Sequence, residues 1–267
     1  MLRRQLFKSL AALTVIALLG LAGIFAFKQY RNEKALELKC PEATVTALPG
    51  YSAKQIDQIL ISKGVIKAGE NIADFDISRF KDEYWFLKDA QGVEGFLYPD
   101  TYRFCLDTPP EDVIKRFLDN FETRTKTVFT SLTGSYDALI LASLVEKEVP
   151  DNEEERRLVA GLLIGRMRDN MRLQVDATLC YAKYKSICPE NFSVSPKDKE
   201  TDSPYNTYKN KGLPPGPIGN PDISAIRAAI APKTSEYRYY ISDPITKRTI
   251  FAKTLDEHNR NVVKYLR

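Results

Sequence analysis

From Ser9 to Phe27 the chain runs without a charge, and no later stretch repeats that pattern. A Leu-, Ala- and Ile-rich segment of this length suits a helix crossing a bilayer core. Arg3, Arg4 and Lys8 precede it, and Lys28, Arg31 and Lys34 follow. A cleaved leader would need a shorter apolar core and a small-x-small site, which Gly20-Leu21-Ala22 matches weakly, and no Cys follows Leu21-Ala22-Gly23. The pattern therefore predicts an uncleaved anchor at 9–27, a tail at 1–8 inside, a charged stalk at 28–42, and the body outside.

Alternation over Thr44-Val45-Thr46-Ala47-Leu48 predicts a strand ended by Pro49-Gly50. Ser52 then caps a helix with Ile56, Ile59 and Leu60 on one face, and Gly64 stops it. Phe75 to Leu87 mixes aromatic and charged residues and reads as helical packing. Val93 to Phe104, dense in aromatics around Pro99-Asp100, reads as a buried strand and turn rather than an exposed sugar-stacking surface. Pro110-Glu111-Asp112 opens a helix with Val113, Phe117 and Phe121 spaced four apart.

The next run, Leu139 to Glu148, is apolar until it ends in Glu146-Lys147-Glu148, and Val149-Pro150 closes it. Asp151 or Asn152 caps the following helix, whose first turn holds Glu153, Glu154 and Glu155, where the helix dipole favours acid. In Leu173 to Tyr181, Gln174, Asp176 and Thr178 alternate with apolar neighbours, so an extended segment would project all three from one face. Such a row is a solvated strand face or, in a cleft, a wall for a hydroxyl-rich ligand. Ser203 to Pro221 is a rigid Pro- and Gly-rich loop of the kind that lines binding sites. Asp222 caps a short helix, Tyr237–Ser242 and Arg248–Phe251 form a hairpin, and a last helix carries His258.

The 267 residues hold 39 basic against 35 acidic side chains, a net charge of +4 without a basic block, which argues against nucleic acid. The four cysteines, at 40, 105, 180 and 188, suit an oxidising compartment. Cys180 and Cys188 are close enough to staple a loop, which leaves Cys40 for Cys105; unpaired thiols are the alternative. With His258 the sole histidine and no CxxC, a His-rich metal site is excluded and no metal or cofactor is expected.

The chemistry to explain is the pair of carboxylates at the end of an apolar run, costly unless used or paired. Two residues apart, Glu146 and Glu148 point about 200° from each other on a helix and cannot be a facing acid/base pair. Glu146 shares a face with Leu139, Ala142 and Ser143, where small side chains leave room for a ligand, and is the favoured acid. Glu148 follows Leu141 and Leu144 and is the secondary candidate. A helix-end salt bridge to Lys147 or Arg156 is the structural alternative.

The motifs Ala142 to Glu148, Leu173-Gln174-x-Asp176-x-Thr178-x-x-Tyr181, Tyr205-Asn206-Thr207-Tyr208 and Gly212 to Ile218 together resemble the YceG-like endolytic murein transglycosylases. Val93–Phe104 and Ala43–Ile66 resemble that family's aromatic stretch and its LysM-like subdomain. The resemblance implies an α+β protein with an N-terminal transmembrane helix, a small LysM-like α/β subdomain at 43–92 and a mixed α/β YceG-like catalytic domain at 93–267. It implies a single-pass inner-membrane enzyme working in the periplasm. Such an enzyme cuts the MurNAc–GlcNAc bond of nascent glycan strands and leaves a 1,6-anhydroMurNAc end. Partners would be peptidoglycan glycan strands, penicillin-binding proteins and the elongation or division machinery. By motif position the single catalytic glutamate falls on Glu146, with Gln174, Asp176, Thr178, Tyr205 and Asn206 holding sugars. Val175, Ala177 and Asp222 depart from the family pattern. A non-catalytic peptidoglycan-binding scaffold and, more weakly, a secreted hydrolase using His258 are the competing readings.

Overall fold

The structure, a computed structural model, describes residues 20, 23–29, 40–129, 135–149, 152–185, 188–189, 192–246 and 248–266. The tail, most of the expected anchor at 9–27 and most of the stalk lie outside them. Residues 23–29 are helical (α1), and among the described residues no helix is long and apolar enough to cross a membrane. Residues 1–42 and 43–267 are separate units, and the second carries the core.

That core begins at β1 (Glu42–Thr46), which pairs with β2 (Thr101–Cys105) and buries Val45. Helix α2 (Ala53–Ser62) starts with a capping box: Ser52 Oγ accepts from Gln55 N–H while the Gln55 side chain accepts from Ser52 N–H. Ile56 and Leu60 go inward as their spacing requires. Residues 75–87 correct the expectation of a helix, forming two 3-10 turns, Ile77–Phe80 and Trp85–Leu87. One continuous helix would set Phe86 about 180° from Ile77, yet both are buried. Asp76 caps the first turn by accepting from Ser78 N–H.

The aromatic stretch at 93–104 is core, with Phe96, Leu97, Tyr98, Tyr102 and Phe104 buried. Helix α3 (Pro110–Thr125) packs Phe117 on Tyr102 at 4.2 Å between ring centres and Phe121 on Phe86 at 4.8 Å. Helix α4 (Ser135–Glu148) is the centre: every residue from Leu139 to Glu146 is buried. It packs against α5 (Glu153–Arg168), α6 (Asp176–Tyr184) and α8 (Ile223–Ile230). Asn152 caps α5 and Asp222 caps α8. Between them lies α7 (Pro196–Lys199), a single turn.

Close approach fixes Gly161. A Cβ on Gly161 of α5 would stand 1.9 Å from the Lys233 carbonyl oxygen, which follows α8. Gly161→Ala gains about 1 kcal/mol of helix propensity but forces that chain outward. We expect a net loss of roughly 1–2 kcal/mol, read as a lower urea midpoint at unchanged slope.

Residues 173–181 also correct the extended expectation. Gln174 takes φ +53° and α6 begins at Asp176. The apolar residues that matter, Val175 and Leu179, are four apart, and Asp176 sits in the first turn, where the dipole favours it. Gln174, Asp176 and Thr178 therefore do not form one row. Strands β3 (Tyr239–Ser242) and β4 (Thr249–Ala252) make the expected antiparallel hairpin, with Tyr240 opposite Phe251, and α9 (Leu255–Leu266) closes the chain. Cys180 and Cys188 are bonded with Cα atoms 5.9 Å apart, and no described cysteine is a free thiol.

Candidate functional site

Glu146, Lys147 and Glu148 follow one another at the end of α4, so each is turned about 100° from the last and enters different surroundings.

Glu146 is held on every side. Its Oε1 accepts from Arg156 Nη2 at 2.7 Å and its Oε2 from Asp222 N–H at 2.9 Å. Arg156 also donates from Nη1 to Asp222 Oδ1 at 2.7 Å and from Nε to the Val149 carbonyl at 2.8 Å. The Arg156 and Glu146 side chains are 2% and 4% exposed. Burial pushes the Glu146 carboxyl up to about 7, against the pull of the Asp222 N–H and the Arg156 guanidinium. The result is a buried clamp joining α4, α5 and α8, the salt bridge weighed from the sequence.

Glu148 differs. Among the described residues its carboxylate has one hydrogen-bond donor, the Tyr240 hydroxyl, at 2.8 Å to Oε2. Desolvation raises the carboxyl to about 7, the Tyr240 bond lowers it, nearby Asp176 raises it, and Arg166 lowers it. Arg166 is buried and donates to the Arg238 and Leu173 carbonyls at 2.6 Å each, so its charge is fixed in place. Asp176 accepts from the Tyr208 hydroxyl. A half-buried acid, a second carboxylate and a guanidinium thus gather where three elements meet.

Lys147 extends past Gly50 and Gly219, in the field of Glu94 and Glu146, and burial lowers its pKa. Glu94 accepts from Ala53 N–H and Asn220 Nδ2 at 3.0 Å each through Oε1, and from the Tyr181 hydroxyl at 3.1 Å through Oε2. Burial pushes it up to about 7. It borders a cavity of about 230 Å³ whose wall includes Tyr181 and Tyr205.

The residues singled out from the sequence divide between these places. Asp176 stands with Glu148, and Tyr205 with Glu94. Thr178 is buried and braces the backbone, its hydroxyl 2.6 Å from the Val175 carbonyl and 2.9 Å from Thr207 Oγ1. Asn206, also buried, donates to the Lys199 and Thr201 carbonyls and accepts from Tyr208 N–H, holding its loop. The Gln174 side chain is exposed, and its N–H donates to the Thr207 carbonyl. His258 is half-buried beside the Tyr239 ring, where burial lowers its pKa. Glu94, Tyr208, Arg166 and Tyr240 were missed. Glu94 had a signal, an acid just before the buried aromatic run that starts at Phe96; Tyr240 had none, because its partner lies 92 residues away. Among the described residues no group of three or more His, Cys, Asp or Glu side chains could hold a metal ion.

The chain has relatives among known proteins. The YceG-like family profile matches residues 5–264. A Bacillus subtilis (strain 168) protein named endolytic murein transglycosylase is 37% identical over 179 residues, 65% of this chain and 48% of that one. One of the same name from Streptococcus pneumoniae serotype 2 is 30% identical over 223 residues, 81% of this chain and 39% of that one. The chain thus spans less than half the length of these curated relatives. The crystal structure of a YceG-like protein from Listeria monocytogenes superposes with a TM-score of 0.69 at 31% identity, over 82% of this chain and 75% of that one.

Proposed function

As the chain belongs to the YceG-like family, we propose that it is a lytic transglycosylase of peptidoglycan glycan strands, with Glu148 as its working acid. The observation that carries the assignment is the hydrogen bond from Tyr240 to a half-buried carboxyl group beside Asp176 and Arg166. Motif position and the small-residue face favour Glu146. Its two oxygens, however, are taken by Arg156 and Asp222 in a buried clamp, which favours a structural role. The names of the relatives support the substrate class and the reaction.

In this reading protonated Glu148 gives its proton to the glycosidic oxygen as the bond to the muramyl C1 breaks. Asp176 stabilises the positive charge that develops on the ring. The muramyl C6 hydroxyl then attacks C1, and Glu148 takes its proton, which restores the acid and closes a 1,6-anhydro ring. No water is consumed, so the second carboxylate that an ordinary hydrolase places for water or as nucleophile is not needed. The apolar segment at 9–27 supports a single-pass anchor in the cytoplasmic membrane with the body outside, among nascent strands, where cutting would limit their length alongside penicillin-binding proteins and the elongation or division machinery.

Incubating the full chain in detergent with purified glycan strands tests the reading by mass spectrometry. Products one water lighter than reducing-end fragments are expected. Reducing ends would make the protein a hydrolase, and retention on strands without any product would make it a scaffold.

Tyr240→Phe tests the acid separately. The Tyr240 hydroxyl lowers the Glu148 pKa, so its removal moves the alkaline fall of the pH–rate profile toward higher pH, with kcat down by about tenfold.

A further inference from the structure

We propose that the cavity bordered by Glu94, Tyr181 and Tyr205 is a carbohydrate subsite that takes one N-acetylhexosamine unit of the strand at a distance from the bond being cut. This rests on the glycan reading above and adds the path the strand follows.

The cavity is about 230 Å³, below the roughly 300–1,000 Å³ of sites for drug-sized ligands, and suits one ring. A pyranose has an apolar C–H face and an edge of hydroxyls, and the wall offers a counterpart to each. The Tyr181 and Tyr205 rings lie 4.9 Å apart at 50°, forming an aromatic corner. Tyr136, stacked on Phe96 at 6.2 Å, adds a third ring. The Glu94 carboxyl is fixed at the wall by donors from Ala53, Asn220 and Tyr181, which sets a polar edge beside the rings. Gly216 keeps the floor open: a Cβ there would stand 3.1 Å from the hydroxyl oxygens of both Tyr136 and Tyr205.

Two segments join the cavity to the acid. Helix α6 carries Asp176 beside Glu148 and Tyr181 at the cavity, five residues apart, a rise of roughly 7–8 Å. The following loop brings Tyr205 to the cavity and Tyr208 to Asp176. Five residues also turn about 140° on a helix, so Asp176 and Tyr181 leave different sides of α6, and a strand that meets both places bends round it.

The test uses the full chain with Tyr205→Ala and with Gly216→Ala, which narrows the cavity without removing a side chain. On uncrosslinked strands both are expected to raise KM about tenfold, more than they lower kcat, and to shift the distribution of product lengths. Wild-type KM and product lengths in both variants would overturn the proposal. An N-acetylglucosamine tetramer titrated into Glu148→Gln, followed by NMR, reads binding without turnover. Shifts at the Tyr181 and Tyr205 rings, lost on adding Gly216→Ala, are expected; no shift at those rings overturns the subsite. If the wild type makes no anhydro product, the transglycosylase reading fails, and the binding arm alone decides the cavity.

Discussion

Glu148→Gln stops strand cutting, with kcat down roughly 10²–10⁴-fold, while the protein keeps its fold. An amide of the same shape still accepts from the Tyr240 hydroxyl but has no proton to give. Glu146→Gln is expected to keep measurable chemistry, because its effect falls on the Arg156 clamp rather than on the acid. Activity that survives in Glu148→Gln and disappears in a folded Glu146→Gln would return the role to Glu146. The pH dependence has a definite sign. Glu148 is raised to about 7, so the acid is loaded below that value and the rate falls as pH rises through it. Stability follows the same direction: between the ordinary carboxyl range and 7 the folded state binds the extra proton, so the stabilisation is complete at low pH and is lost as pH rises through 7. A pH–rate profile and urea midpoints across that window check both.

Arg156→Leu is the most damaging stability change we expect, about 3–5 kcal/mol, because it removes one partner of a buried ionic group. Glu146 and Asp222 would then face each other without a cation, and the Val149 carbonyl would lose its donor. Asp222 caps α8 through Ala225 N–H, so the start of that helix should loosen with it. Urea unfolding of the purified variant measures the loss. Adding Glu146→Leu should recover part of it by removing the stranded charge, and equal stability of Arg156→Leu and wild type would show the clamp to be idle.

Much of the fold was legible because local chemistry decided it. Ser52 and Asp222 cap their helices as short polar side chains before apolar runs do, Asn152 caps α5 ahead of an acidic first turn, and the Tyr237–Phe251 pattern folds back on itself. Residues 173–181 misled because two periods fit nine residues, and the four-residue spacing of Val175 and Leu179 won. At the acid, helical spacing showed that Glu146 and Glu148 diverge. It carried no information on which of them would meet an arginine, since Arg156 and Asp222 arrive from other helices, the latter 76 residues on. Tyr240 lies further still, on a hairpin whose own pattern concerns only its pairing.

Helix α4 is buried from Leu139 to Glu146, and this bears on how the acid behaves over time. A helix enclosed by α5, α6 and α8 is expected to open only with the rest of the body, which hydrogen exchange at the amides of residues 139–146 would read as the free energy of global unfolding. The acid stands two residues past that buried run, on the half-buried last residue of α4, and is positioned by it. A damaging substitution elsewhere lowers the fraction of folded molecules before it blurs the position of Glu148, and those that remain folded cut at the normal rate.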